Sequence, residues 1–197
     1  NKPKLMIHYK KTDQTHICLG VRSFSIFHSD KFIFDVFSTI LGGGMSSRMW
    51  INVRAREGLG YYVWTSGYTD LDTGYLVTQA GINNEKIDKA ISIILDEYKK
   101  IRDTRVGEKE LKKAKDYIKG KSILSMESSD SQASFYGTQE LLKNRILTLE
   151  EKFAKIEAVT AEDIQRVAKD IFKPEKLNLA LIGPFKDKSK FEKLLKI

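Results

Sequence analysis

Apolar residues recur three or four positions apart through the longest uniform stretch of the chain, from Asn84 to about Lys173. That spacing is typical of amphipathic helices, and it puts Ile87, Ile91 and Ile94 on one face. Two runs that alternate apolar and polar residues, YYVWTSGYTD and GYLVTQAGI, precede this stretch and are joined through LDT. They predict an antiparallel hairpin. Because strands and helices are segregated along the chain, we expect an α+β fold and not a doubly wound parallel sheet.

The ends of the chain add further elements of both kinds. THICLGVRSF alternates and predicts a strand, and SDKFIFDVFSTIL predicts a helix that begins at Ser29 or Asp30. The glycines at 42–44 are expected to end that helix in a left-handed conformation. KLNLALIG predicts a last strand and DKSKFEKLLKI a last helix. The predicted architecture is a two-layer sandwich, a mostly antiparallel sheet with helices packed on one face.

Helix starts are marked inside the helical stretch and before it. Thr148 is followed three residues later by Glu151, and Thr160 by Asp163, which is the pattern of a capping box. Before the hairpin, SSRMWINVRARE predicts a short helix that is capped by Ser46 or Ser47.

Composition narrows the class of protein. The chain has 197 residues without a repeat or an evident linker, so we expect 1–197 to form a single domain. No apolar run approaches the roughly 20 residues of a membrane-spanning helix, and the first residues lack the apolar core of a signal peptide. Cys18 is the sole cysteine, which fits a reducing, cytoplasmic location. The missing initial Met is consistent with a piece of a longer chain.

The net charge of +8 raises the question of nucleic acid, because basic proteins attract polyanions. The 34 Lys and Arg are, however, interspersed with 26 Asp and Glu, and the densest basic segment, 99–121, has the pattern of solvated faces on two helices. Tyr62, Trp64 and Tyr68 share one face of a strand and could stack on bases, but no RNA-binding signature accompanies them. A basic nucleic-acid-binding domain stays open as a lesser alternative.

Metal and nucleophile motifs are missing from the sequence. His8, His16 and His28 have no His or Cys partner three or four residues away, and no H-x-x-E-H occurs, so no metal site is predicted within this chain. The glycine-rich LGGGMSSRMW lacks the lysine of a phosphate-binding loop and follows a helix instead of a strand. No G-x-S-x-G elbow occurs, and Cys18 in its strand is expected to be a small buried thiol.

The block ILGGGMSSRMWINVRAREGLGYYVWTSG resembles the zinc-free, C-terminal-type domain of the insulinase/pitrilysin family of metallopeptidases, which includes the mitochondrial processing peptidase. In that family a glycine-rich turn, Ser-Arg, a short helix and an arginine precede Gly-Leu-x-Tyr and a strand. TDQTHICLG is similar to the family's first strand, and VTAEDIQRVAKDIF and LNLALIGPF are similar to its closing helix and strand. The resemblance covers about 180 residues and implies the fold of LuxS and the processing peptidases.

The resemblance also implies a function. These peptidases pair two domains of one fold: an active domain binds zinc through H-x-x-E-H, and a partner domain without those ligands closes the chamber. By resemblance, Arg54 and Tyr61 reach the substrate and bind its scissile carbonyl. The chain is thus expected to be inactive alone, to be the C-terminal half of a longer protein, and to bind peptide but neither membrane nor nucleic acid.

Several points of the resemblance stay open. Glu57 stands where relatives often have a basic residue, and Gly60 where many have Ala, which we expect to be a mild difference. Arg56 or Tyr62 would be the substrate-facing residue if the register differed by one position. The family also contains non-proteolytic subunits, such as those of respiratory complexes, and subunits that only recognise substrates. A structural or recognition role is therefore the main alternative.

Overall fold

The computed structural model describes residues 2–143 and 145–197, which form one five-stranded sheet and seven α-helices. The strands are β1 Lys4–Tyr9, β2 Gln14–Ser23, β3 Gly60–Thr69, β4 Gly74–Asn83 and β5 Leu177–Gly183. The helices are α1 Lys31–Gly42, α2 Ile87–Asp103, α3 Glu108–Ser125, α4 Ser129–Lys143, α5 Leu149–Glu157, α6 Ala161–Ile171 and α7 Ser189–Leu194. A six-residue π-helical segment, Trp50–Ala55, leads into β3.

The sheet has the strand order β1-β5-β2-β4-β3, so β1 and β3 are its edges. The predicted hairpin is confirmed as β3 and β4, and the strands predicted in THICLGVRSF and KLNLALIG are confirmed as β2 and β5, which lie inside the sheet. All pairings are antiparallel except β1 with β5, which is parallel. TDQTHICLG forms β2 and not the first strand of this chain, because β1, which was not predicted from the sequence, precedes it.

The helices cover one face of the sheet, as the segregated pattern predicted. Residues of one face of β2, β4 and β5, such as Leu19, Leu76 and Leu179, are buried together with the apolar faces of α1, α2 and α6. The alternate residues of the same strands, among them Cys18, Tyr75 and Ile182, are exposed. The result is an α+β two-layer domain with one open sheet face.

The glycines after α1 act differently from the prediction. Gly43 has φ −69° and stays in the right-handed region, so no left-handed cap ends this helix. Gly42 is instead required by packing, because a β-carbon there would overlap the backbone of Thr65 in β3. The glycine thus lets α1 approach the edge strand closely.

Both predicted capping boxes are confirmed. The hydroxyls of Thr148 and Thr160 accept from the backbone N–H groups of Glu151 and Asp163, whose carboxylates accept in return. The segment before β3 was predicted to be capped by Ser46 or Ser47. The Ser47 hydroxyl does not cap it, because this buried group has no hydrogen-bond partner among the residues described.

Asp30 is the N-cap residue of α1, as predicted, but its side chain does not cap the helix. Its carboxylate instead accepts two hydrogen bonds of 2.8 Å from Arg166 of α6. The Arg166 guanidinium holds the pKa of Asp30 below its ordinary value of 3.8. A lowered pKa in the folded state means that this pair stabilises the fold above pH 3.8, and the contribution is lost as pH falls below that value.

A buried hydroxyl network joins the sheet to α2. Tyr98 donates to the Leu19 carbonyl oxygen at 3.0 Å, and its oxygen lies 2.6 Å from the Thr78 hydroxyl, which is 2.7 Å from that of Thr65. Burial raises the pKa of Tyr98 far above its ordinary value. These hydroxyls satisfy one another where water is excluded.

Replacing Tyr98 by phenylalanine is expected to destabilise the protein by about 1–3 kcal/mol, because the Thr78 hydroxyl and Leu19 carbonyl lose a partner that water cannot replace. Chemical unfolding of the complete protein measures this change. Tyr136→Phe is the matched control, since Tyr136 is 36% exposed on α4. Equal free energies of unfolding for the two variants would contradict the role given to the network.

Across both described segments, no helix combines the length and the apolar character that crossing a membrane requires.

Candidate functional site

The open face of the sheet is rich in aromatic and apolar side chains. Tyr62 stacks on Trp64 with ring centroids 4.6 Å apart, and Tyr68 of β3 stacks on Tyr75 of β4 at 4.9 Å. At the opposite edge of the same face, on β1, Met6 is 71% exposed. The strand register continues this surface across all five strands. Exposed aromatic clusters of this kind mark a place where another molecule binds.

Cys18 lies in the middle of this face, so the expectation of a buried thiol was wrong. Cys18 pairs with Gln79 on one side and Ala180 on the other, and its side chain points away from the helices. Partial burial still raises the pKa of its thiol, which keeps the sulfur protonated and unreactive at neutral pH.

Arg54 lies near the end of the π-helical segment, with its side chain exposed. Val53 anchors that segment in the core, and the Arg54 guanidinium carbon lies 5.7 Å from the centre of the Trp50 ring. No carboxylate pairs with Arg54 within residues 2–143 and 145–197. The guanidinium therefore keeps its donors available for another molecule.

A short turn connects Arg54 to β3. Gly58 has φ +56°, a left-handed conformation that favours glycine, and its N–H donates to the Arg54 carbonyl oxygen at 3.1 Å. The Leu59 N–H donates to Val53, and the Leu59 carbonyl accepts from Asn83 at 3.2 Å. These bonds fix the direction in which the chain enters the sheet.

Tyr61 is the extra residue of a β-bulge. Gly60 pairs with Ile82 and Tyr62 pairs with Gly81, so Tyr61 has no partner across the ladder. By simple alternation Tyr61 would share the core side of Val63, but it is 75% exposed. Bulges often redirect a side chain beside a functional site. Its hydroxyl is without a hydrogen-bond partner in the described part of the chain.

Arg56 and Tyr62, the alternative substrate-facing residues, have hydrogen-bond partners within the domain. The Tyr62 hydroxyl lies 2.8 Å from Nδ1 of His16, and burial raises the pKa of Tyr62. Arg56 donates to the Asn52 side chain at 3.2 Å, and Glu57 pairs with Lys89. Arg54 and Tyr61 thus lie at opposite ends of the turn, both exposed, and no hydrogen bond joins their side chains.

Gly60 cannot be replaced by alanine as easily as was expected from the sequence. A β-carbon on Gly60 would overlap the carbonyl oxygen of Gly81 and lie 2.7 Å from Cδ1 of Ile82. Because the first of these neighbours is backbone, the strand would have to shift. The expectation of a mild difference at this position was wrong for this chain.

The histidines do not form a metal centre. His8 and His16 lie on β1 and β2 with β5 between them, and His28 stacks on Phe24 with ring centroids 4.1 Å apart. Among the residues whose positions are given, no group of three or more His, Cys, Asp or Glu side chains could hold a metal ion.

Sequence reasoning missed most of the open face. It picked out Tyr62, Trp64 and Tyr68, but not the surface that β1, β4 and β5 add to them. The apolar residues at alternate positions of those strands could have indicated this surface. Which of them lie together on one face, however, becomes clear only when the strand order is known.

Comparison with known proteins bears on the family and the fold. The family model described as "Peptidase M16 inactive domain" matches residues 1–118. The chain is 33% identical over 175 residues to the uncharacterized zinc protease YmxG of Bacillus subtilis, and the match covers 89% of this chain and 42% of that protein. It is 30% identical over 181 residues to the uncharacterized zinc protease SCO5738 of Streptomyces coelicolor, with 91% and 39% covered.

A solved structure shares the fold. The peptidase M16 inactive domain from Pseudomonas fluorescens superposes with a TM-score of 0.85 at 19% identity, over 94% of this chain and 44% of that one. The chain spans about two fifths of the length of the curated relatives it matches. By the match to its family model, the chain belongs to the peptidase M16 inactive-domain family, the insulinase/pitrilysin relationship that its central block indicated.

Proposed function

We propose that this chain is the substrate-binding half of a zinc-dependent endopeptidase whose metal is held by a partner domain with an H-x-x-E-H motif. The relatives are more than twice as long as the segment matched here, which leaves room for such a domain in the same protein. The metal chemistry then belongs to the partner, and the residues of this chain act on the peptide alone.

The observation that carries this proposal is a pair of exposed donors at the two ends of the turn that leads into the edge strand β3. The Arg54 guanidinium and the Tyr61 hydroxyl have no polar partner among the described residues, and the left-handed Gly58 and the bulge at Tyr61 fix the backbone between them. Donors left unsatisfied within a domain are available to a ligand.

These two donors suit the carbonyl of a peptide bond under attack. Attack builds negative charge on the carbonyl oxygen, and the fixed positive charge of arginine favours that oxyanion over the neutral carbonyl. The tyrosine hydroxyl adds a second hydrogen bond. Each donor aimed at the developing oxyanion contributes about 2.7–4 kcal/mol to lowering the barrier.

The open face supplies the rest of the peptide contact. Trp64 is 41% exposed, and Tyr68 and Tyr75 stack beside it on the same face. Aromatic rings give large apolar contact at a small entropic cost, which suits an extended peptide of varied sequence. The face would therefore form one wall of the chamber.

Photo-crosslinking tests the peptide-binding role. p-Benzoylphenylalanine is placed at Tyr61 in the complete protein, with the metal-site glutamate of the partner domain changed to glutamine so that a fluorescent peptide stays intact. We expect irradiation to link the peptide to this position. The control position is Tyr136, which is exposed on the helical layer.

A missing crosslink at Tyr61, or equal labelling at both positions, would contradict the proposal. Either result would favour the alternative of a structural member of the family. Absence of an H-x-x-E-H motif from the complete protein and its partner subunits would favour the same alternative.

A further inference from the structure

A cleft lies on the helical side of the domain, where α1, α3 and α5 meet the edge strand β3. It has a volume of about 360 Å³. Hydroxyl-bearing residues and lysines are prominent in its lining, among them Tyr117, Lys121, Ser122, Ser125 and Lys152. An adjoining cavity of about 470 Å³ shares Ser125 and contains Lys143.

The lysines around this cleft outnumber the acids. The carboxylate of Asp35, which lies near the cleft, is paired with the ammonium group of Lys31 at 2.7 Å. Lys121, Lys143 and Lys152 have no carboxylate partner within the described parts of the chain. The Lys152 ammonium instead donates to the Ser122 hydroxyl at 3.1 Å and lies 5.9 Å from the centre of the Phe135 ring.

Burial is the main cause that lowers the pKa of Lys152; the charge of Asp35 raises it, and the charge of Lys31 lowers it to a smaller extent. Burial also lowers the pKa of Lys143, where the charge of Lys31 adds to the effect and Asp35 opposes it. Partly desolvated cations without a paired carboxylate attract an anion.

Hydroxyl donors complete the cleft. Tyr117 has no hydrogen-bond partner within residues 2–143 and 145–197, and the Ser122 hydroxyl accepts from Lys152 and so keeps its own proton to donate. We propose that this cleft binds a phosphate-bearing small molecule, with Lys121 and Lys152 contacting the phosphate and Tyr117 and Ser122 donating to its oxygens.

Phosphate fits these donors better than a carboxylate does. A phosphate group offers three or four acceptor oxygens and up to two charges, which matches two lysines and several hydroxyls. A carboxylate offers two oxygens and one charge. The volume exceeds that of inorganic phosphate, so an organic portion or a second phosphate group can enter beside Lys143.

Calorimetric titration of the complete protein with inorganic pyrophosphate at constant ionic strength tests the site. We expect saturable binding that Lys152→Gln weakens by about tenfold or more, since it removes a charge-assisted contact. The matched control is Lys112→Gln, because Lys112 lies on the exposed side of α3 and pairs with Asp116. That variant is expected to bind as the wild type does.

A second measurement does not depend on a variant. Acetylation of lysines at neutral pH, read by mass spectrometry, is expected to modify Lys152 readily because of its lowered pKa, and pyrophosphate should protect it. Lys112 should not be protected. Unchanged labelling of Lys152 in saturating pyrophosphate would overturn the proposal, as would equal affinity of the wild type and Lys152→Gln.

Glutamate in place of pyrophosphate distinguishes the two kinds of anion. Weaker binding of glutamate supports the assignment to phosphate. Glutamate that binds as tightly as pyrophosphate would overturn that assignment. Because the cleft and the open face use different residues, either result leaves the peptide-binding proposal untouched.

Discussion

Replacing Arg54 by alanine in the complete protein is expected to lower kcat for peptide cleavage by about 100- to 1,000-fold, with little change in KM. The guanidinium is proposed to interact more strongly with the oxyanion than with the ground-state carbonyl, so its loss should fall on the chemical step. Steady-state kinetics with an internally quenched peptide measure both constants. Metal analysis and circular dichroism should show normal zinc content and folding, because Arg54 is exposed and unpaired.

Matched variants separate this role from general damage to the turn. Tyr61→Phe should also lower kcat, because it removes one hydroxyl while keeping the exposed ring. Arg56→Ala and Tyr62→Phe should have much smaller effects, since these side chains bind Asn52 and His16 instead. If Arg54→Ala and Tyr61→Phe both retain full turnover, the proposed contact with the scissile carbonyl is wrong. Larger losses for Arg56→Ala and Tyr62→Phe would move the site by one residue.

The fold was predictable where the signal is local. Alternation in THICLGVRSF and in the hairpin, and the Thr148 and Thr160 capping boxes, depend on residues close in sequence, and all are present in the structure. β1 was missed because only Leu5 and Ile7 of its six residues pack against the core. Its partner β5 begins at Leu177, so nothing near β1 in the sequence signals the pairing.

In the candidate site, too, the features that depend on neighbouring residues were predictable and those that depend on strand pairing were not. The resemblance placed Gly-Leu-x-Tyr between the short helix and a strand, and the structure has a turn there in which Gly58 adopts a positive φ. The bulge that exposes Tyr61 depends on how β3 pairs with β4, and no residue of β3 alone specifies it. Similarly, the requirement for Gly42 arises from its approach to Thr65, so the sequence pattern of three glycines was attributed to the wrong cause.

Gly60→Ala is expected to reduce both stability and turnover, because Gly60 sets the bulge that exposes Tyr61. The added methyl group overlaps the Gly81 carbonyl oxygen, so the backbone at the start of β3 must move. Overpacking of this kind costs about 1–3 kcal/mol, and a displacement of Tyr61 of about 1 Å would lower turnover by about 100-fold. Chemical unfolding and peptide kinetics on the complete protein measure the two effects.

Two further glycine variants make this result interpretable. In Gly120→Ala, in α3, the new methyl group meets no atom within 4 Å beyond its chain neighbours and the adjacent helix backbone, so this change should leave turnover unchanged while stabilising the helix slightly. In Gly81→Ala the methyl group meets the Tyr62 ring at 2.6 Å, so this change displaces Tyr62 and not the Tyr61 backbone. A large loss of turnover in Gly60→Ala with a small one in Gly81→Ala assigns the substrate contact to Tyr61. The opposite order would assign it to Tyr62, and would mean that the bulge serves to pack β3 and not to position a donor.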